Sequence, residues 1–126
     1  IEFVGDAAVT TRSGRNTEIL TIVNDDSRHM TLAAADILAG VNIHTTTTGG
    51  GTVTTDTAAN IIATVPLAKD NESIKSGYYN DGDQTATFAG GTGVTVVDTG
   101  NTVATNEGAT LTWIRTSSTA VTLCID

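Results

Sequence analysis

What this chain has little of excludes a good deal. It has one cysteine, Cys124, one proline, Pro66, and one tryptophan, Trp113, in 126 residues. A single cysteine excludes an intrachain disulfide and any zinc site built on several thiolates. On a strand, Cys124 is expected to act as a small buried hydrophobe. Aromatic side chains are 4% of the chain: Phe3, Tyr78, Tyr79, Phe88 and Trp113 are all of them, a poor platform for stacking sugars. Basic residues are equally scarce. Arg12, Arg15, Arg28, Lys69, Lys75 and Arg115 face fourteen carboxylates, for a formal charge of −8. Only Arg12 and Arg15 stand close in sequence, so nucleic acid, whose phosphates need clustered cations, is not an expected partner. Apolar runs are only a few residues long, so no membrane-spanning helix is expected. Ile1 opens the sequence without Met, and no basic stretch precedes an apolar one, so no signal peptide is expected.

What is present is threonine, about a fifth of the chain, with abundant alanine, valine and glycine. Charged residues are 16%, well under the roughly 25% of ordinary soluble domains. Thr is β-branched and suits a pleated, half-exposed surface. Its hydroxyl is also far easier to bury at a contact than a charge. The length fits one domain with a real core.

Residues 1–17 open with the apolar IEFV and pass into a Gly- and Arg-bearing stretch, which reads as an extended arm or edge strand followed by a loop. A single β-rich domain is expected over 18–126, with strands at Glu18–Val23 and Val41–Thr45. Two segments resemble each other: Thr31–Val41 (TLAAADILAGV) and Thr55–Val65 (TDTAANIIATV). Each predicts a short helix. Ala34, Ile37, Leu38 and Val41 fall at i, i+3, i+4 and i+7, as do Ala58, Ile61, Ile62 and Val65. Thr31 and Thr55, or Asp56, are the expected N-caps, while Gly40 and Pro66 end the two helices. The TTTTGGG run at 45–51 is the expected long surface loop. From Ser73 onward the chain reads as a ladder of strands. Asn80-Asp81-Gly82-Asp83 predicts a hairpin turn between 73–79 and 84–88. In the last hairpin Leu111, Trp113 and Arg115 oppose Val121, Leu123 and Ile125. Trp113 is a core residue or an interface anchor. The expected class is mainly β: an antiparallel β-sandwich or barrel-like domain with two short helices and an N-terminal arm.

Reactive chemistry is thin. His29 and His44 have neither HxH nor HExxH spacing, so no metal site is expected. Asp25, Asp26, Asp81 and Asp83 lack the ligand spacing of a calcium loop, and Asp81 and Asp83 read as turn residues. Gly49–Gly51 is not followed by Lys-Ser/Thr, so it is no phosphate loop. No Ser lies in G-x-S-x-G, and neither His has an orienting acid beside it. No catalytic residue, cofactor or metal is therefore assigned, and an enzyme is not expected.

Taken in order, TAANIIATVP at 57–66, the NDGD turn, TFAGGTGVTV, TVAT and LTWIRTSSTAVTL form a series that resembles a domain of bacteriophage capsid decoration (cement) proteins, head fibres and related virion surface proteins. The resemblance covers about residues 31–125. Gly77-Tyr78-Tyr79 and Cys124 depart from it. It implies a small β-rich virion protein, often a homotrimer, bound to the major capsid protein and to copies of itself. It implies a location on the capsid surface and transfers no catalytic residues. The first thirty residues fall outside the match, so attachment is expected there, with Ile1, Phe3, Val4, Arg12 and Arg15 as interface residues. IEFV would add a strand to a neighbour. Two further classes stay open. One is a receptor-binding or fibre-tip module using Tyr78, Tyr79 and the TTTTGGG loop. The other is a repeating subunit of a bacterial surface layer or filament.

Overall fold

Each of the first strands in the body of this protein is followed by a strand in the opposite sheet. The computed structural model describes residues 9–12, 15–18, 21–97 and 101–126. β1 (Val9–Arg12) and β2 (Arg15–Glu18) pair antiparallel as a separate two-stranded ribbon, with Val9 opposite Glu18. The body then winds. β3 (Ile22–Asp25) leads to β4 (His29–Leu32), and a 3-10 helix (Ala34–Leu38) crosses to β5 (Val41–His44). β6 (Gly51–Thr55) follows, α1 (Ala58–Thr64) crosses to β7 (Ser73–Asn80), and β8 (Ala86–Ala89) ends the winding. The rest of the chain adds β9 (Val94–Val96), β10 (Thr102–Val103), β11 (Glu107–Ser117) and β12 (Ala120–Ile125).

Two mixed sheets result, with strand orders β3-β5-β7-β11-β12-β9 and β10-β8-β6-β4. The protein is thus mainly β, as expected, but the antiparallel expectation is corrected. β3, β5 and β7 are parallel neighbours, and so are β4, β6 and β8. Each coil leaves one sheet, visits the other and returns by a crossover, and that route brings the chain back in its original direction. Within the two sheets, antiparallel pairing is found around β11, which lies between β7 and β12, and between β8 and β10. Both sheet orders are open, so no closed barrel forms among the described residues.

The two similar segments are equivalent crossovers of successive coils, from the four-stranded sheet back to the six-stranded one. Only the second is an α-helix. In a 3-10 helix residues i and i+3 eclipse. Ala34 and Ile37 therefore both enter the core, while Leu38 turns outward and is 44% exposed. The α-helical stripe holds in α1, where Ala58 and Ile61 are buried, and continues to Val65 at its C-cap. The caps also differ from expectation. Thr31 lies in β4 and Thr55 in β6, and it is Thr57 whose Oγ1 accepts the Asn60 N–H at 3.2 Å. Asp56 ties the crossovers together: its carboxylate accepts from the Ala34 N–H (2.9 Å), the Thr57 N–H (2.7 Å) and Asn60 Nδ2 (2.8 Å).

The NDGD segment is a corner between sheets and not a hairpin, since β7 and β8 belong to different sheets. The Asn80 side chain explains the change. Its Nδ2 donates to the carbonyls of Gln84 (2.7 Å) and Val103 (3.0 Å), and its Oδ1 accepts from the Gly82 N–H (3.0 Å). These bonds satisfy the polar groups that a hairpin ladder would otherwise pair.

Inner faces of both sheets and the two crossovers build one core. Leu111, Trp113, Val121 and Leu123 meet Met30, Leu32, Val53 and Phe88 there. Trp113 is a core residue, fully buried, and its indole N–H donates to Ser76 Oγ at 3.1 Å. The last hairpin has the expected register, with Trp113 opposite Leu123. Cys124 is corrected: it points to the outer side of β12 and is only half-buried.

Candidate functional site

The residues able to do chemistry are mostly engaged in holding connections. His44 ends β5 on its inner face and is fully buried. Its Nε2–H donates to the Ser27 carbonyl at 2.7 Å, so in the neutral ring Nδ1 accepts the Tyr78 hydroxyl at 2.8 Å. Tyr78 itself packs edge-to-face on Phe88, and burial pushes its phenol well above its ordinary pKa. It is therefore not a surface recognition residue, as the fibre-tip reading expects. His29 lies on β4 in the other sheet and is exposed, so the histidines do not form a pair. Among the described residues no group of three His, Cys, Asp or Glu side chains is placed to hold a metal ion.

The acidic turns follow the same pattern. Asp25 accepts from the Ser27 N–H at 2.8 Å, and Asp83 from the Thr48 hydroxyl at 3.1 Å. Glu72 accepts from the Lys69 and Ala68 N–H groups, which hold its carboxyl below the usual range. Arg115 pairs with Asp70 at 3.2 Å and donates to the Leu67 carbonyl at 2.8 Å. The TTTTGGG run is no long loose loop. Arg28 donates to the carbonyls of Gly49 and Gly50, both at 3.0 Å. Both glycines have positive φ, 77° and 94°, which L residues rarely adopt. Thr47 turns inward and donates to the Gln84 carbonyl at 2.7 Å.

Two outward sheet faces stand out among the described residues. The first is the outer face of the four-stranded sheet. Cross-strand register sets Thr102, Thr87, Thr52 and His29 in one row across β10, β8, β6 and β4. Thr31, Thr54 and Ala89 form the next row. Thr31, Thr54, Thr87 and Thr102 are exposed, and neither row contains a carboxylate, lysine or arginine. Composition announced the threonines, but only the register shows that they share a face.

The second surface is an open groove of about 540 Å³ on the outer face of the six-stranded sheet. Ile22, Val41, Gly77 and Thr110 stand in register across β3, β5, β7 and β11, beside the row Ile43, Tyr79 and Gly108. Ile22 is 65% exposed. Sequence reading missed this groove, because its residues are spread over strands more than eighty positions apart.

Of the expected interface residues, Ile1, Phe3 and Val4 lie outside the described residues. Arg12 and Arg15 are paired backbone positions of the β1–β2 ribbon. Compared with known proteins, the chain matches no family model, no curated protein and no solved structure.

Proposed function

We propose that this chain is a virion structural protein, a capsid decoration or cement protein that binds a major capsid lattice and copies of itself, as a homotrimer, on the particle surface. The observation that carries this reading is the pair of exposed, uncharged threonine rows across β4, β6, β8 and β10. Such a face desolvates far more readily than a charged one, and its hydroxyls offer both donors and acceptors to a facing subunit. Several of the side chains able to act as acids, bases or ligands instead fasten turns and crossovers: Asp25, Asp56, Glu72, Asp83 and His44 do so. We read the two sheets around one core as an open sandwich, stiffened by Asn80, Asp56 and Arg28. Binding energy alone does the work: burial across subunit boundaries opposes the pressure that would part the shell. The protein is not an enzyme in this reading and needs no cofactor, nucleic acid or membrane.

The test is the mass and stoichiometry of the native assembly that contains the chain. Hundreds of copies per particle, with particles that lose heat resistance when the protein is stripped, are the expected result. A few copies at one vertex or on a tail would replace this reading with the fibre-tip one. Polymers formed without any capsid protein would replace it with the surface-layer one.

A further inference from the structure

Asp81-Gly82 is the one Asp-Gly pair in the sequence, which contains no Asn-Gly pair. Glycine has no Cβ to crowd its own amide, so the Gly82 nitrogen can approach the side chain before it more closely than another residue's could. In an unconstrained chain that nitrogen attacks Cγ of the Asp81 carboxyl. A C–N bond forms, the nitrogen gives up its proton, and a carboxyl oxygen leaves as water. The product is a succinimide ring. Water then adds back to either ring carbonyl. Addition at the side-chain carbonyl restores aspartate. Addition at the main-chain carbonyl leaves isoaspartate, whose backbone runs through Cγ. Composition is unchanged overall, and water is the only co-reactant.

The fold opposes this closure from several sides. The Asp81 side chain is exposed to water, whereas Gly82 is buried. The Asp81 N–H donates to the His44 carbonyl at 2.9 Å. The Gly82 N–H donates to Asn80 Oδ1 at 3.0 Å, a bond that ring closure must break. The Gly82 carbonyl accepts from the Thr105 hydroxyl. Thr47 fills the side of Gly82 on which a Cβ would stand. The reacting groups are therefore adjacent in the chain, yet the nitrogen cannot turn onto the carboxyl until the corner between β7 and β8 opens. Local openings of this kind cost less than global unfolding and set the rate of any chemistry that needs them.

We propose that Asp81 is a covalent modification site gated by the fold: it isomerises to isoaspartate when the corner opens, and the product does not rebuild the corner. Isoaspartate lengthens the backbone before Gly82 by one atom. Thr47 leaves that extra length no room, and Gly82 is carried away from Asn80 and Thr105. Opening of the corner thus becomes irreversible once the chemistry has followed it. The inference stands apart from the decoration reading, since it concerns the single chain.

The test incubates the full chain at neutral pH in buffer and in concentrated urea. Isoaspartate at position 81 is quantified by peptide mass spectrometry with electron-transfer fragmentation. The chain in urea is expected to isomerise at least about tenfold faster than the folded one, as a gate costing only about 1.4 kcal/mol would already require. Thr105→Val removes the hydroxyl on the Gly82 carbonyl and is expected to raise the rate in buffer. Chains isomerised in urea and then refolded are expected to melt below chains passed through urea only briefly. Equal rates in buffer and urea, or an unchanged rate in Thr105→Val, would overturn the gate. Absence of isoaspartate at position 81 in urea would overturn the site. A refolded, isomerised chain with the parent's melting temperature would overturn the claim that the corner rejects the product.

Discussion

The Tyr78 hydroxyl stands 2.8 Å from Nδ1 of His44, with both residues buried on the inner face of neighbouring parallel strands. The pair joins β7 to β5, and the other ring nitrogen of His44 reaches back to the Ser27 carbonyl before β4. One imidazole thus links consecutive coils. Tyr78→Phe keeps the ring on Phe88 but leaves Nδ1 of His44 buried without a donor. A loss of about 1–3 kcal/mol is expected from that unpaired group. Tyr79→Phe, on the outer face, is expected to change stability by less than about 0.5 kcal/mol. Urea unfolding of the two variants beside the parent checks both; equal effects would dissolve the distinction.

Gly82 is fixed by crowding. A Cβ there would land on Thr47, whose hydroxyl and backbone nitrogen lie against the glycine. Thr47 has no room to yield, because its Oγ1 both donates to the Gln84 carbonyl and accepts from the Gln84 N–H at 2.9 Å. Gly82→Ala is expected to destabilise by about 1–3 kcal/mol, as overpacked sites do. Gly50→Ala tests a different mechanism, since nothing lies within 4 Å of its Cβ position and only its φ of 94° resists the change. A melting temperature unchanged by Gly82→Ala would mean that the corner is looser than its contacts require.

These two residues mark how far the sequence was legible. Strand-rich composition, the register of the last hairpin and the burial of Trp113 all follow from alternation within a short stretch. The Asp-Gly signal at 81–82 did not lead to the right topology. A turn signal states that the chain reverses or bends, but it does not state which sheet receives the next strand. That decision lies in Asn80, whose partners Gln84 and Val103 include one twenty-three residues away. The repeat at 31–41 and 55–65 was visible, yet its meaning as successive crossovers required the sheets. The identical apolar spacing also hid a difference in helix type. Asp36 accepts from the Ala33 N–H, and only Ala39 and Gly40 lie between Leu38 and β5, leaving the first crossover too short for an α-helix. The threonine rows and the groove are products of cross-strand register, which no local window contains.

Acid sensitivity should follow Asp56. The Ala34 N–H, then the Asn60 side chain, and also the Thr57 N–H hold its carboxyl below the usual aspartate range, against the opposing effect of burial. A carboxyl whose folded pKa is depressed binds its proton more readily in the unfolded chain. Its stabilising contribution is therefore complete above the unfolded pKa and fades as pH falls through the folded one. The parent protein should lose stability between about pH 4 and the folded value, in a range where Asp56→Asn changes less. Glu72, lowered by the Lys69 and Ala68 N–H groups, acts in the same direction, so Glu72→Gln serves as a separate control. Unfolding free energies at pH 7 and pH 3 for the parent and both variants decide this. Parallel losses in the parent and in Asp56→Asn would remove Asp56 from the account.

The threonine face gives the sharpest test of the proposed role. Thr54 and Thr87 are exposed on β6 and β8, and they stand in adjacent rows of that face. Thr54→Glu/Thr87→Glu leaves the core untouched, so the isolated fold should change by no more than about 0.5 kcal/mol per site. At a subunit contact the same change would bury carboxylates with no partner. A contact burying even one such group should weaken at least tenfold, which corresponds to about 1.4 kcal/mol. Added negative charge on a chain already at −8 acts in the same direction by slowing encounter between copies. Sedimentation of the purified protein and its copy number on particles are the two measurements. Thr21 is also exposed but precedes β3 outside these rows, so Thr21→Glu is the matched control. Loss of assembly in the double variant alone places the contact on the four-stranded sheet. Assembly that survives both changes moves the contact off that face.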